Sequence, residues 1–456
     1  MLARRQQVAL ALTALLTSAA ACQAHGHRPA GPGHPSAGRA GHPAPAAARD
    51  FTLVASGDIL PQATVVDRAR FDAGGAGYDF RPLFEDARPV VSAADLALCH
   101  LDTVLGAEDP PTGSPTSGAP APGSPASGAP APGSPALGSP TLGSPTLGSP
   151  TPGSPTPGAP APGAPAPASP APGSPASGSP TPGAPPEIAA ALAATGYDSC
   201  STASPHSLDA GADGVRRTLD ALDAAGVRHA GTARTEAEGN AVTLLRAGPA
   251  TVAHLAYTGD TAGHPPPPGQ PWAVGLADRD RILADAKAAR KAGADVVVVS
   301  LHWGTAWQDA PDERQLALAR ALTASRTGGR PDVDLIVGAG PHVPQAYEKV
   351  NGTWVVYGLG DQVAGEMFNG QGLQDARGAQ STVARFTFTR PARPGGRWRV
   401  RRAESLPSMF DVDAGRVVDL DRALARGAEV AGVRDRVRAV ALSRGAAAAG
   451  LVTDGK

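Results

Sequence analysis

Apolar residues in this chain fall into short runs, and each run closes on a side chain able to bind a metal or carry a proton. Thr52–Ser56 leads through Gly57 to Asp58, Leu96–Cys99 to His100 and Asp102, and Tyr197–Cys200 to His206. Asp295–Leu301 ends at His302, and Val333–Val337 opens into Gly-Ala-Gly-Pro-His342. Short apolar runs bounded by turn residues read as buried strands. Strands that end together on one edge are where α/β folds place their chemistry. Between them, apolar residues three and four apart predict helices over 187–194, 214–225, 278–292 and 313–325, with part of 83–93 limited by Pro89. Further strands are expected over 243–245, 251–257, 345–350 and 353–357, the last two joined by an Asn351-Gly352 hairpin turn. The alternation predicts an α/β domain with mixed sheets. Leu420–Leu442 has the spacing of a C-terminal helical region.

Three stretches lack this pattern. Residues 110–186 cycle through Gly-Ser-Pro-Thr and Gly-Ala-Pro-Ala units without a charged residue. Such a segment buries too little surface to offset its ordering entropy, so 108–186 is expected to be a disordered, polyproline-II-like insert within the domain. Residues 23–50, with His25, His27, His34 and His42, read as a flexible tether. At the start, Arg4-Arg5, the apolar run Val8–Leu16 and Ala19-Ala-Ala-Cys22 have the layout of a secretory signal over 1–22. This predicts an extracytoplasmic chain, either lipid-anchored to the cell membrane through Cys22 in a lipobox-like setting or secreted from an ordinary cleaved signal. No other run approaches the roughly 20 apolar residues of a spanning helix.

Composition narrows the classes. Hydrophobic residues make up 41% of the chain and aromatics 4%, so the core should rest on Val, Leu and Ala. A net charge of −1 argues against a nucleic-acid partner. Cys99 and Cys200 end consecutive strands; they bridge if those strands are neighbours and otherwise are two small buried side chains. Neither a Gly-x-x-x-x-Gly-Lys-Ser/Thr loop nor a strand-linked Gly-x-Gly-x-x-Gly is present, so any ATP-driven ligation belongs to another protein.

In their order and spacing, Ser56-Gly-Asp58, His100-Leu-Asp102, Pro205-His206, His302-Trp-Gly304 and Gly340-Pro-His342 resemble the CapA family. So do Gly196-Tyr-Asp, the run 209–226 and Val356-Tyr-Gly-Leu-Gly-Asp361. CapA proteins are poly-γ-glutamate capsule biosynthesis proteins of the calcineurin-like metallophosphatase superfamily. The resemblance covers 51–405 and leaves 406–456 as a C-terminal helical extension. It implies a four-layer α/β/β/α sandwich and one or two divalent metals that activate water and stabilise a leaving oxygen. Asp58 aligns with the first metal aspartate, Asp102 with an acidic residue that is usually Glu, His302 with the fourth motif and His342 with the last histidine of the closing motif. His100 reads either as a ligand or as a residue packed beside Cys99. His206 falls where the superfamily has the histidine that protonates the leaving group.

Three positions depart from the family pattern. Pro205 replaces an Asn ligand, Gly340 replaces the first histidine of the closing motif, and Asp361 stands where Asn is usual. The resemblance therefore implies one divalent metal at most, with Mn, Fe, Zn and Mg not distinguished, and slow or absent phosphoesterase chemistry. In that expectation the retained metal keeps Asp58 and His342, with Asp102 or His100 as third ligand. Two functions lead, ahead of a purely structural wall lipoprotein whose insert spans the envelope, since an insert within a domain makes a poor spacer. One is a surface-anchored part of the synthesis or export of poly-γ-glutamate or a related anionic polymer, with the polymer or membrane-bound synthases as partners. The other is an active hydrolase acting on an envelope phosphoester or amide. Arg216 and Arg217 offer cationic contacts near the motifs or form a solvated helix face.

Overall fold

The computed structural model describes residues 50–106, 183–393 and 396–453. The expected leader with Cys22, the tether up to residue 49 and the Pro-rich insert up to residue 182 lie outside the described residues. The described part begins with β1 (Phe51–Ile59), α1 (Ala63–Asp72), α2 (Arg88–Val91), β2 (Leu96–Leu101), α3 (Glu187–Thr195), β3 (Ser199–Ser201), α4 (Gly211–Ala225) and β4 (Arg228–Ala230). Next come α5 (Glu236–Gly239), β5 (Thr243–Ala247), β6 (Ala250–Thr258), α6 (Arg279–Lys291), β7 (Val296–His302), α7 (Glu313–Ala324) and the small pair β8 (Arg326–Thr327) and β9 (Arg330–Pro331). β10 (Leu335–Ala339), β11 (Tyr347–Val350), β12 (Thr353–Val356), β13 (Asp361–Val363), β14 (Gln380–Thr389), β15 (Arg399–Asp411) and β16 (Arg416–Asp419) follow. α8 (Leu420–Ala425), α9 (Ala431–Leu442) and β17 (Leu451–Val452) close the chain.

These strands build two large sheets. One runs β16-β15-β14-β1-β2-β3-β4, with β13 beside β1 and β17 beside β15; the other runs β11-β12-β10-β7-β6-β5. The parallel strands β1 to β4 and β6, β7, β10 and β12 are joined largely by helices, as parallel neighbours require. Alternation along each strand divides the core. Leu53, Ala55, Leu96 and Leu98 share one cluster with Val296, Val298, Leu335 and Val337, between the sheets. Their neighbours Val54, Ala97 and Cys99 cluster with Val65, Ile188, Leu192 and Leu219 of α1, α3 and α4. Val297, Val299 and Ile336 cluster with Ile282 and Ala286 of α6 and Ala319 and Leu322 of α7. Period-two alternation on both sheets thus gives four layers, α/β/β/α. Val, Leu and Ala dominate, but Phe51, Phe80, Phe84, Phe386, Phe388 and Phe410 are buried too, so six of the eight phenylalanines serve the core.

Several elements differ from the sequence reading. β1 continues past Ser56 through Asp58, with a register shift against β2 between Ala55 and Asp58. β15 runs through position 405, where the domain is expected to end, and β16 and β17 pair with it, so the first sheet extends into the C-terminal segment. Pro407 and alternating charged residues hide this strand in the sequence, although Pro407 sits in register opposite Thr382. The helical region over 420–442 is two helices parted near Gly427, whose φ of 89° ends the first. The hairpin turn is as expected: Asn351 and Gly352 both have positive φ, 50° and 81°. Cys99 and Cys200 are register partners on the adjacent parallel strands β2 and β3 and form a disulfide.

Candidate metal centre

The site lies at the C-terminal ends of the parallel strands of both sheets. Gly57 makes the first placement possible, because a Cβ there would lie 1.7 Å from the Gly360 carbonyl oxygen. Only glycine lets the chain after β12 press so closely on β1. Asp58, fully buried, is then the register partner of both Asp361 on β13 and His100 on β2. Its Oδ2 accepts a hydrogen bond from the Gly340 N–H at 2.9 Å. His100 Nε2 stands 3.5 Å from Asp58 Oδ1, and its ring is stacked on His302 of the second sheet with centroids 5.2 Å apart. Asp58, His100 and His302 each offer one ligand atom within 4.8 Å of the others. Asp102 Oδ2 lies 3.7 Å from His302 Nε2.

Among the described residues, Asp58 Oδ1, both ring nitrogens of His100, His302 Nε2 and Asp102 Oδ1 are buried without a hydrogen-bond partner. Orphaned buried polar atoms cost about 1–3 kcal/mol each, so a cluster of them marks a place built for something else. Burial drives the His100 pKa down to about 3, with His302 adding to the effect, which keeps its ring neutral and its lone pair available. Burial, then Asp361 and Asp102, push the Asp58 carboxyl well above the ordinary range. Burial also pushes Asp102 upward, yet His302, with His206 and His100, holds it well below its usual value. Buried carboxylates beside the neutral His100 imidazole and ring nitrogens without partners suit a divalent cation.

His342 and His206 occupy separate places. His342 adopts φ 63°, packs against Trp307 at 5.7 Å between ring centroids, and places Nδ1 3.2 Å from Asp361 Oδ2. Burial opposes its protonation, but Asp361 outweighs burial and raises the pKa. The Asp361 carboxylate is thus a partner of His342, and the tight three-atom group forms from Asp58, His100 and His302. Pro205 opens the single turn Pro205–Leu208, a position that needs no N–H, while Ser204 caps the turn by accepting from His206 N–H at 3.1 Å. His206 Nδ1 lies 2.7 Å from Asp209 Oδ2. Together with His302, His342, Asp260 and Arg314 it lines a cavity of about 1060 Å³.

Gly340 has φ 103°, and a Cβ on it would lie 2.7 Å from His302 Cε1. A side chain at this position would have no room: the His302 ring occupies the space beside it, and the bare backbone reaches Asp58. Sequence reasoning did not single out Asp209, although its i+3 spacing from His206 fits one helical turn. It also passed over His254, which lies within the apolar strand β6 and accepts or donates at 2.9 Å to Ser199 and Ser300 hydroxyls on β3 and β7. Burial lowers the His254 pKa to about 4. It ties the two sheets behind His100.

The hydrogen bond to Asp209 raises the His206 pKa from 6.5 to about 9 against the effect of burial, with Asp102 adding to it. A raised folded-state pKa means stabilisation that is complete below about 6.5 and lost as pH rises through about 9. An NMR titration should place the His206 midpoint near 9, and Asp209→Asn should move it several-fold in proton affinity toward the ordinary histidine range. An unchanged midpoint in the variant contradicts the assignment.

The profile of the family described as bacterial capsule synthesis protein PGA_cap matches residues 52–126 and 168–366, more than half of the chain. The chain belongs to this family. Within it, similarity extends to the capsule biosynthesis protein CapA of Bacillus anthracis, 29% identical over 39% of this chain and 42% of that protein. The PGA biosynthesis protein CapA of Bacillus subtilis is 31% identical over 36% of this chain and 41% of that protein. A probable polyglutamine synthesis accessory protein of Mycobacterium tuberculosis is 28% identical over 45% and 55%. The chain thus spans about half the length of the curated relatives it matches. Among solved structures, a 5'-nucleotidase precursor of Thermus thermophilus is similar at a TM-score of 0.33 and 18% identity, over 56% of this chain and 46% of that one. The PGA_cap match takes in Asp58, His100, Asp102, His206, His302 and His342, and its last residue, 366, follows the Asp361 strand. No helix of the described residues is long and apolar enough to cross a membrane.

Proposed function

We propose that this PGA_cap protein takes part in the synthesis or export of poly-γ-glutamate or a related anionic capsule polymer on the outer side of the cell membrane, working beside membrane-bound synthases. The family match carries this reading. The leader and the lipobox-like Cys22 support an extracytoplasmic, membrane-tethered placement. The metal centre belongs to the same reading as a single-cation site. Asp58, His100 and His302 would hold the cation, with Asp102 beside them and His342 turned to Asp361. Pro205 and Gly340 supply no side-chain ligand for a second one.

A divalent cation in such a site polarises a phosphoryl or carbonyl oxygen and makes a bound water more acidic. The chain's own residues supply the rest. Asp58 presents a carboxylate oxygen held in place by the Gly340 N–H. His206 donates its Nδ1 proton to Asp209 and keeps a second proton on Nε2, which can pass to a leaving group in the cavity that His206 lines. That dyad is the observation favouring the second reading, hydrolysis of an envelope phosphoester or amide; Gly340 and Pro205 limit it to what one cation can support.

Complementation tests the first reading. Expressed in a Bacillus subtilis strain lacking its own PGA biosynthesis protein CapA, the full chain should restore polymer formation. A well-expressed, correctly localised chain that restores none contradicts it.

A further inference from the structure

At the end of the second sheet remote from the metal centre, arginines gather. Asp295 directly precedes β7 and Asp334 directly precedes β10, so both lie about 20 Å from His302 along strands rising roughly 3.3 Å per residue. Arg290, at the end of α6, pairs with Asp334 and donates to the carbonyls of Ala294 at 3.2 Å and Pro331 at 3.3 Å. Arg397 Nε stands 3.6 Å from Asp334 Oδ1, beyond hydrogen-bond range. Arg330 donates to the Asp295 carbonyl, and Arg326 to the Asn351 carbonyl at 3.2 Å. Among the described residues Arg326 and Arg399 have no ion-pair partner.

These five guanidiniums meet Asp334 and Asp295 as opposing carboxylates, with Asp332, buried and bound to the Ser325 hydroxyl, as a third nearby, which leaves an excess of positive charge. Nε of Arg290, Arg330 and Arg397 is buried and finds no acceptor among the described residues, and Asp334 Oδ1 finds no donor among them. Burial, with Arg290 adding, pushes the Arg330 pKa below its ordinary value; burial does the same for Arg397, with Arg399, Arg326 and Arg290 repelling it. A crowd of like charges with unfilled donors is unfavourable by itself and favourable once an anion enters. The planar fork of arginine matches a carboxylate in bidentate fashion. Arg326 and Arg399 are exposed and flank the half-buried Arg330 and Arg397, so the patch offers carboxylate contacts at several successive positions.

We propose that the cluster of Arg290, Arg326, Arg330, Arg397 and Arg399 is a docking site for successive carboxylates of an anionic polymer, separate from the metal centre. The inference rests on the capsule-polymer reading above and names where the chain would hold its polymer. Its distance from the cation site makes it a grip on the polymer, leaving chemistry to the other edge.

The test uses the full chain and fluorescein-labelled poly-γ-glutamate, with anisotropy read at low and moderate salt. Arg397→Gln combined with Arg399→Gln should weaken binding at least tenfold and flatten its salt dependence, while Arg279→Gln, on a remote exposed site, should leave it unchanged. Arg399→Gln alone, on an exposed side chain, should still weaken binding several-fold and guards against a folding artefact. Free glutamate at equal carboxylate concentration should compete at least a hundredfold less well than polymer. Equal affinity of wild type and double variant overturns the proposal, and so does competition by free glutamate or inorganic phosphate matching that of polymer, which would mark a simple anion pocket. A wild-type chain that binds no polymer also overturns it. The capsule reading is judged separately by the complementation: a double variant that restores polymer as well as wild type sinks the docking site alone, and a wild type that restores none sinks the capsule reading.

Discussion

Asp58→Ala is expected to abolish cation binding, weakening affinity at least about a hundredfold, or about 2.7 kcal/mol. Asp58 is the one carboxylate in the close group with His100 and His302, and it is fully buried. Without it the close group keeps only two imidazoles, and Asp102 beside His302 lies outside that group, so too little negative charge remains to offset a desolvated divalent ion. Asp361→Asn provides the contrast. It removes one of the charges crowding Asp58 and lies outside the close group, so one cation should still bind. In the metal-free chain Asp58→Asn should raise Tm, because burial and two neighbouring carboxyls disfavour the Asp58 charge. Calorimetric titration of a chelator-stripped chain reads the first effect and thermal unfolding the second; metal-free Asp58→Asn melting below wild type would count against the crowded-carboxylate account.

The second large effect concerns the disulfide. Cys99 and Cys200 are 3% and 0% exposed and close a loop with a sequence separation of 101. Chain-entropy arguments give such a closure about 4–5 kcal/mol, and Cys99→Ala with Cys200→Ala forfeits most of it. For a domain of this size the loss corresponds to a fall in Tm of about 10 °C. His100 directly follows Cys99 and Ser201 follows Cys200 on the paired strand, so the same double variant should also loosen cation binding several-fold. Denaturant unfolding and calorimetry measure the two; an unchanged midpoint would mean that the β2–β3 ladder holds this edge without the bridge.

Much of this site was legible in the residues. Strand runs closing on Asp58, His100, His302 and His342 were visible because both sheets bury their central strands on two faces, which leaves near-continuous apolar runs. The strands that escaped notice, β4, β8, β9 and β13 to β17, carry polar residues, Pro407 or few residues, and they form through pairing with β3, with each other or with β1, β14 and β15. Residue types named the candidate ligands but could not group them. His342 turns to Asp361 and His100 joins Asp58 because of register: Asp58 stands opposite both His100 and Asp361. Gly340 looked like a lost ligand in sequence; in space it is where the His302 ring and the Asp58 carboxylate both lean on bare backbone. Asp209 and the arginines around Asp334 carry no motif, since their meaning comes from what folding brings beside them.

Asp58, His100 and His302 are expected to make a single buried cation site. Elemental analysis of the wild-type chain, equilibrated with manganese or zinc and then freed of excess metal, tests it most directly. One metal per chain, absent from Asp58→Ala and from His302→Ala, is the predicted result. Two metals per chain, or a single metal that survives both substitutions, would contradict it.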